Sequence, residues 1–173
     1  MPKAAAKPAS PGVVSLKKAV EIRKALARRG GTFVLTNGVF DLLHPGHTSY
    51  LEEARELAGP GGMLFVALNS DASVRELKGP LRPILDEKSR SQNLARLRSV
   101  DGVVVFRGKR LVKEIAALKP DIYCKAGDYT LATLDASERE ALMAAGSNVV
   151  FLPFLKGFST TKMIERIRAA GSA

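Results

Sequence analysis

Two histidines, His44 and His47, are the residues of this chain whose type and spacing first suggest chemistry. They are its only histidines, and Pro45 and Gly46 between them suit a tight entry into the helix that the following residues predict. Helix N-terminal amides attract phosphate, and imidazoles at such a start can donate hydrogen bonds to phosphoryl oxygens. The spacing therefore indicates phosphoryl or nucleotidyl transfer. The alternative is that one histidine caps the helix while the other packs in the loop.

A zinc site is the weaker interpretation of the same residues. The chain has no third histidine, and Cys124 is its only cysteine. Cys124 stands in an apolar run, which favours a small buried side chain in a reducing compartment over a reactive thiol. We therefore expect no metal ion held by the protein's own side chains.

The elements that must position the histidines are predicted by the rhythm of the chain. Runs of consecutive apolar residues alternate with amphipathic stretches, and the runs lie at 33–36, 63–68, 103–106, 121–125 and 148–152. Consecutive apolar residues suit strands covered on both faces, and strands separated by helices imply right-handed crossovers. The sequence therefore predicts an α/β fold, a single Rossmann-like doubly wound domain with a five-stranded parallel sheet.

The helical patterns fall between and after these strands. A first helix is predicted from a Ser15 cap to Gly30, and the others at 47–58, 71–77, 87–99, 110–118, 135–145 and 160–169. Residues 1–14 are predicted as a flexible tail and residues 15–173 as one domain. Ligands of doubly wound sheets bind at the carboxyl ends of the strands, so the residues that follow each strand are the candidates for a site.

The net charge of +10 is concentrated at one end of the chain. Residues 1–31 contain eight basic residues and one acidic residue, a net +7, so residues 32–173 carry only +3. A charge run of this kind is usually a solvated face, and charge alone gives only non-specific attraction. We therefore do not expect a nucleic acid partner.

Membrane insertion and secretion are not expected either. The longest strongly apolar run, 63–68, is far too short to cross a bilayer, and no apolar stretch follows the two lysines near the N-terminus. These features predict a cytoplasmic protein with no membrane partner.

The segment after the first strand, TNGVFDLLHPGH at 36–47, resembles the first signature of the cytidylyltransferase-like superfamily, in which H-x-G-H follows the first strand. The resemblance covers about residues 32–168. Within the superfamily, this segment is most similar to the adenylyltransferase domain that makes ADP-heptose from heptose 1-phosphate. Its supporting segments are 68–74, 78–79, 82–83, 119–121, 125–129, 152–154, 157 and 159–161.

The resemblance implies a nucleotide site. Val39 and Phe40 would present backbone to the nucleotide, and His44 and His47 would contact its phosphates and stabilise the transition state. The implied nucleotide-binding residues are Asn37, Gly38, Val39, Phe40, His44, His47, Gly157, Ser159, Thr160 and Thr161. Chemistry alone favours plain N-capping for the Ser-Thr-Thr start, and the resemblance favours a phosphate cradle.

Basic residues near a triphosphate are the remaining catalytic candidates. Lys78, Arg82 and Arg90 lie in or beside a segment rich in Gly and Pro, and the resemblance gives Lys78 and Arg90 catalytic roles beside the two histidines. Each is alternatively a solvated surface charge. Asp71 is expected to begin a helix rather than to bind a metal ion.

The implied substrate-binding residues are Asp41, Lys125, Gly127 and Asp128. Asp128 either orients sugar hydroxyls or a magnesium-bound water, or caps a turn, and both interpretations stay open. Three departures from the family's pattern put the acceptor in doubt. Only Arg90 is kept in the 88–91 stretch, Ala126 replaces a glycine, and residues 107–110 are strongly basic, which either favours a more anionic substrate or leaves exposed charges.

The resemblance implies an ATP-dependent adenylyltransferase that acts on a sugar 1-phosphate, with Mg²⁺ on the triphosphate and pyrophosphate as the leaving group. Its partners would be ATP and a small phosphorylated substrate, and by analogy a second copy of the chain in a homodimer. One alternative is a cytidylyltransferase acting on glycerol 3-phosphate or a related alcohol phosphate. Another is a non-catalytic module that binds nucleotide or nucleic acid, which the basic N-terminal segment motivates.

Overall fold

The computed structural model describes residues 11–127, 129–153, 155 and 157–171. In chain order the elements are β1 (Gly12–Val13), α1 (Leu16–Arg28), β2 (Phe33–Gly38), α2 (Pro45–Glu56), β3 (Met63–Asn69), α3 (Asp71–Lys78), α4 (Glu87–Ala95), β4 (Gly102–Phe106), α5 (Val112–Leu118), β5 (Ile122–Ala126), α6 (Ala136–Ala145), β6 (Asn148–Leu152) and α7 (Thr160–Ala170). The strands form one parallel sheet in the order β1-β4-β3-β2-β5-β6.

The prediction of five strands is wrong by one, and the other five lie where the apolar runs placed them. The sixth strand is β1, whose two residues pair with Gly102 and Val103 at one edge of the sheet. A two-residue edge strand carries no apolar run or alternation, so the pattern that identified the other strands does not apply to it. The strand falls inside the segment predicted as a tail, of which residues 1–10 lie outside the described part.

The sheet separates two hydrophobic cores. Along β2, Phe33 and Leu35 pack into the core beneath α1, α5 and α6, while Val34 packs into the core beneath α2 and α4. Alternate residues of a strand point to opposite faces, so a strand buried on both faces must be apolar at every position. Cys124 belongs to the second core and is fully buried, as its apolar run predicted, and burial raises the pKa of its thiol to about 12.

Polar side chains fix where the helices begin. Ser15 accepts a hydrogen bond from the Lys18 amide and caps α1, and the Ser70 and Asp86 side chains cap α3 and α4 in the same way. These caps satisfy amides that have no partner within the first turn of a helix. Asp71 begins α3, as expected from the sequence. No helix of the described ranges is long and apolar enough to span a bilayer.

The strand order places a switch point beside β2. From β2 the chain moves to β3 and β4 on one side, and then crosses to β5 and β6 on the other. The connections that follow β2 and β5 therefore diverge at the carboxyl ends of these two neighbouring strands, and such a crevice is where doubly wound sheets bind their ligands. Asn37 and Gly38 end β2 here, and Lys125 and Ala126 end β5.

Candidate active site

A pocket of about 300 Å³ lies at the switch point. It is lined by Asn37, Gly38, Val39, Phe40, His47, Tyr50, Lys78, Lys125, Ala126 and Tyr129. Seven of these ten residues were predicted as site residues from the sequence and its family resemblance, and they lie at the ends of β2 and β5, in the loop after β2, or in α2 and α3. The pocket therefore brings together two segments that are almost ninety residues apart in the chain.

The two histidines lie face to face at the start of α2. Their ring centroids are 3.8 Å apart and the rings are inclined by 17°, so the imidazoles stack. His44 occupies the N-cap position of α2, but its side chain makes no capping hydrogen bond. The alternative in which one histidine is a helix cap therefore describes the backbone of His44 and not its ring.

Burial keeps both rings uncharged near neutral pH. Desolvation lowers the pKa of His44, which is 6% exposed, below its usual value. The pKa of His47 is lowered to about 4 by burial, by the neighbouring His44 and by the positive charge of Lys78, against a smaller opposing effect of the Leu42 carbonyl. A neutral imidazole carries one N–H, so a ring whose N–H faces the pocket can donate one hydrogen bond to a phosphoryl oxygen at pH 7.

The histidine loop, residues 38–44, has an uncommon backbone shape. Phe40 has a φ of 45°, in the left-handed region that residues with a side chain rarely adopt. Its ring lies 5.1 Å from the ring of His47 and packs against Gly38, where an added Cβ would stand 2.8 Å from the ring. A side chain at position 38 would therefore displace the Phe40 ring from its place beside His47.

Asn37 and Lys125 join the two strands at the floor of the pocket. The Asn37 side-chain oxygen accepts hydrogen bonds from the Lys125 ammonium at 2.8 Å and from the Tyr123 hydroxyl at 2.7 Å. The Lys125 ammonium also lies 5.4 Å from the centre of the Tyr129 ring. Burial lowers the pKa of Lys125 from its ordinary value, with a smaller opposing effect of Glu138. A cation is therefore held in a fixed position where an anionic group of a ligand can reach it.

Lys78 reaches the pocket from the other side. It is the last residue of α3 and is exposed at the mouth, and its charge acts on His47. Tyr50 is a pocket residue that the sequence interpretation missed. It stands three positions after His47 on α2, so the helical period alone places both on one face. Its hydroxyl hydrogen-bonds to the buried Thr36 hydroxyl at 2.6 Å, which ties α2 to β2.

Asp41 and Arg90 lie behind the pocket wall. The Asp41 carboxylate accepts hydrogen bonds from Arg82 and from the amides of Ile84 and Leu85, and Arg90 donates to the Val39 carbonyl. Both side chains are thus committed to protein groups. A direct substrate contact of Asp41 and a direct catalytic role of Arg90 stay predictions that these contacts do not support.

The start of α7 packs beside the histidine loop. The Ser159 side chain accepts from the Lys162 amide and caps α7, and the Thr160 hydroxyl donates to the Leu42 carbonyl at 3.4 Å. Thr161 lines a separate cleft of about 170 Å³, and Gly157 has a φ of 94°. The Phe158 ring lies 6.2 Å from that of His44. Nucleotide binding by Gly157, Ser159, Thr160 and Thr161 therefore stays a prediction, made at a helix start that adjoins the histidines.

The segment after β5 and the basic stretch at 107–110 are the remaining parts of the predicted site. Gly127, with a φ of 100°, follows β5 at the pocket edge, and Asp128 lies outside the described residues. In the basic stretch, Lys109 pairs with Glu76 and Arg110 pairs with Asp135, and both cations are more than half exposed. These two residues are surface charges with protein partners, so this part of the stretch gives no reason to expect a more anionic acceptor.

Metal ligands are scarce at this site. No group of three or more His, Cys, Asp or Glu residues that could hold a metal ion occurs in the described ranges. The pocket lining given above contains no carboxylate and three side chains that carry or can carry positive charge. Such a lining suits the oxygens of a phosphorylated ligand better than a bare cation.

Comparison with known proteins agrees with this chemistry. The family model described as Cytidylyltransferase-like matches residues 35–166. The chain is 45% identical over 153 residues to the "Bifunctional protein HldE" of Syntrophotalea carbinolica, with 88% of this chain and 30% of that protein aligned. It is 47% identical over 148 residues to the protein of the same name from Pelobacter propionicus, with 86% and 29% aligned. The chain thus spans about a third of the length of the curated relatives it matches.

A solved structure shares the fold. The crystal structure of the lipopolysaccharide core biosynthesis protein from Thermoplasma volcanium GSS1 matches with a TM-score of 0.59 and 30% sequence identity. The match covers 75% of this chain and 100% of that one.

Proposed function

This chain belongs to the cytidylyltransferase-like family, and we propose that it transfers AMP from ATP to a sugar 1-phosphate, with heptose 1-phosphate as the acceptor and pyrophosphate as the leaving group. The observation that carries the proposal is the stacked pair of neutral histidines at a helix start, of which His47 lines the pocket together with Lys78 and Lys125. The similarity to the solved lipopolysaccharide core biosynthesis protein supports a sugar acceptor.

Charge stabilisation is the chemical task that the pocket suits. An acceptor phosphate oxygen attacks the α-phosphorus of ATP, and the bond to the bridging oxygen breaks as pyrophosphate leaves. Negative charge on the oxygens of the attacked phosphorus grows in the transition state. Neutral imidazole N–H groups of His44 and His47 donate to these oxygens, and the fixed positions of the rings spare the cost of reorganisation during reaction.

The two lysines would bind the leaving group and the acceptor. Lys78 stands at the pocket mouth beside His47, where it would neutralise charge on the departing pyrophosphate. Lys125 is held by Asn37 at the end of β5, where it would bind the phosphate of the acceptor. Lys78 ends α3 and Lys125 lies in β5, so the two lysines enter the pocket from different elements and could bind different ligands.

Magnesium would enter with the nucleotide. The lining offers the side-chain oxygen of Asn37 and the hydroxyls of Tyr50 and Tyr129, and Mg²⁺ prefers carboxylate, phosphate and water oxygens in near-octahedral geometry. When bound, the ion would neutralise charge on the triphosphate. The protein's own contribution is to hold the phosphates with histidine and lysine donors. We also expect the reaction to take place in the cytoplasm and the chain to form a homodimer.

The proposal is tested by pyrophosphate release from the purified chain with Mg²⁺. ATP and CTP are each combined with heptose 1-phosphate, glycerol 3-phosphate and phosphopantetheine. The expected result is release with ATP plus heptose 1-phosphate alone. Release with CTP plus glycerol 3-phosphate would contradict the assigned nucleotide and acceptor, and silence with every pair would contradict transfer to any of these acceptors.

A further inference from the structure

We propose that Asp41 and Arg90 act together as a clamp that holds the histidine loop in its uncommon backbone shape and thereby sets the turnover rate. The clamp works through the strap, residues 81–85, which lies between α3 and α4. Asp41 and Arg90 are positioning residues in this account, because neither lines the pocket. The effect on turnover rests on the proposed function, whereas the clamp itself is a property of the chain without substrate.

Asp41 fastens the loop to the strap. Its carboxylate is 2% exposed and accepts from Arg82 Nε at 2.8 Å, from the Ile84 amide at 2.9 Å and from the Leu85 amide at 2.9 Å. The two amides and the guanidinium lower its pKa, even though burial acts in the opposite direction. A buried carboxylate is stable only with such partners, so the strap must stay in place for Asp41 to stay charged and buried.

Arg90 fastens the loop from a second direction. Its guanidinium is fully buried and donates to the Leu85 carbonyl at 2.9 Å, to the Val39 carbonyl at 2.7 Å and to the Asp71 carboxylate at 2.6 Å. These three acceptors belong to the strap, to the histidine loop and to the start of α3. One planar side chain therefore fixes the relative positions of three segments that surround the pocket.

The residue between the two fastened positions is the strained one. Arg90 holds the carbonyl of Val39 and the strap holds the side chain of Asp41, and Phe40 stands between them with a φ of 45°. A left-handed conformation is unfavourable for a residue with a side chain and persists only where the surroundings impose it. The clamp supplies that constraint on both sides of Phe40.

The histidines depend on this shape. The Phe40 ring packs against Gly38 and lies 5.1 Å from the His47 ring, which in turn stacks on His44. If the clamp opens, Phe40 can relax towards an ordinary backbone conformation and its ring must leave the position that supports His47. A misplaced donor costs transition-state stabilisation more than substrate binding, so we expect kcat to fall and KM for ATP to change little.

The experiment compares Asp41→Asn with Asp101→Asn. Asp101 is a matched control, because it is also a buried carboxylate that accepts from a backbone amide, that of Leu64, and pairs with an arginine, Arg55. It lies just before β4, at the opposite end of the sheet from the pocket. Thermal unfolding, kcat, KM for ATP and hydrogen exchange of the Ile84 and Leu85 amides are measured for both variants and the wild type.

We expect Asp41→Asn to lower kcat by about 10- to 100-fold, and Asp101→Asn to keep kcat within about twofold of wild type, although both unfold at lower temperature. The proposal would be overturned if, for the same drop in unfolding temperature, Asp41→Asn and Asp101→Asn lost the same factor in kcat. Arg82→Gln serves as a milder variant, since it removes one partner of Asp41 and leaves the two amides, and it should lower kcat by less than Asp41→Asn does.

Hydrogen exchange separates the clamp from the proposed reaction. Without any substrate, the Ile84 and Leu85 amides should exchange faster in Asp41→Asn than in wild type or Asp101→Asn, because they lose the charged acceptor. Unchanged exchange would overturn the clamp even if the wild type is active. Faster exchange in a chain whose wild type releases no pyrophosphate would support the clamp and contradict the proposed function.

Discussion

The two ends of the parallel sheet use the same chemical device for different purposes. At the amino ends of the strands, Asp101 accepts from the Leu64 amide and pairs with Arg55, and Asp121 accepts from the Phe33 amide and pairs with Arg23. These contacts hold the starts of β3 and β2, where the backbone is regular. At the carboxyl ends, Asp41 holds the strap and a loop with a left-handed residue.

The difference lies in what the carboxylate holds. A buried aspartate paired with an arginine does not by itself indicate a functional site, since structural ion pairs use the same groups. At the pocket end, the backbone that is held has an uncommon conformation, and the histidines and Lys125 beside it all have lowered pKa values because of burial. We infer that this combination of strain and buried basic groups, rather than the ion pair, distinguishes the functional end of the sheet.

Removing the His47 ring should produce the largest difference in turnover between variants at the two ends of the sheet. His47→Ala deletes a donor to the attacked phosphorus, so we expect turnover to fall by about 10²- to 10³-fold with little change in the fold. Pyrophosphate release and thermal unfolding are measured together, with Asp101→Asn as the variant that should show the reverse pattern, lower stability and retained turnover. Near-normal turnover in His47→Ala would refute the role assigned to this residue.

Replacing the buried Lys125 ammonium, at the same end of the sheet, should have a smaller effect on the reaction than removing His47. Lys125→Met keeps the length of the side chain but removes the charge, and we expect KM for the acceptor to rise by about tenfold, since a hydrogen bond to a charged group is lost. Lys109→Met is the matched control, because Lys109 is exposed and pairs with Glu76. An unchanged acceptor KM in Lys125→Met would exclude an acceptor-binding role for Lys125.

Lowering the pH should lower the free energy of unfolding, because the buried histidines at the pocket bind protons less readily in the folded chain than in the unfolded one. The pKa of His47 is about 4 in the folded chain against 6.5 in a model peptide, so the unfolded chain binds a proton first as the pH falls. The free energy of unfolding should therefore fall between about pH 6.5 and pH 4, with a slope of at most about 1.4 kcal/mol per pH unit for one histidine.

This pH dependence is measured by urea unfolding at several pH values for the wild type and His47→Gln. The variant lacks the imidazole, so its stability should depend less on pH within this window. Since the chain has only two histidines, and carboxyl groups titrate mostly below about pH 5, the remaining dependence above that pH would report mainly on His44. Parallel curves for the two proteins would show that His47 titrates normally in the folded chain.

Most of the fold could be predicted because its signals are local. Strands buried on both faces produce consecutive apolar residues, and caps such as Ser15 and Ser70 are readable residue by residue. The strand β1 could not be predicted, since two residues at an edge carry no pattern. Its pairing with β4 depends on where the sheet edge lies in three dimensions.

The site, like the fold, has residues that could be predicted from the sequence and residues that could not. The histidine pair, the residues that end β2 and Lys125 could be placed because parallel strands bring their carboxyl ends to one edge. The direction in which a side chain points cannot be inferred from the sequence, so the contacts by which Asp41 and Arg90 hold backbone behind the pocket wall required coordinates. Tyr50 could have been found from its spacing to His47, whereas the left-handed Phe40 required coordinates.

We propose that the pocket between β2 and β5 transfers AMP to heptose 1-phosphate. The most direct measurement is pyrophosphate release with ATP, Mg²⁺ and heptose 1-phosphate by the wild type and by His47→Ala, with the sugar nucleotide product identified by mass spectrometry. We expect stoichiometric pyrophosphate and ADP-heptose from the wild type and a rate lower by about 10²- to 10³-fold from the variant. No ADP-heptose from the wild type, or equal rates from both proteins, would contradict it.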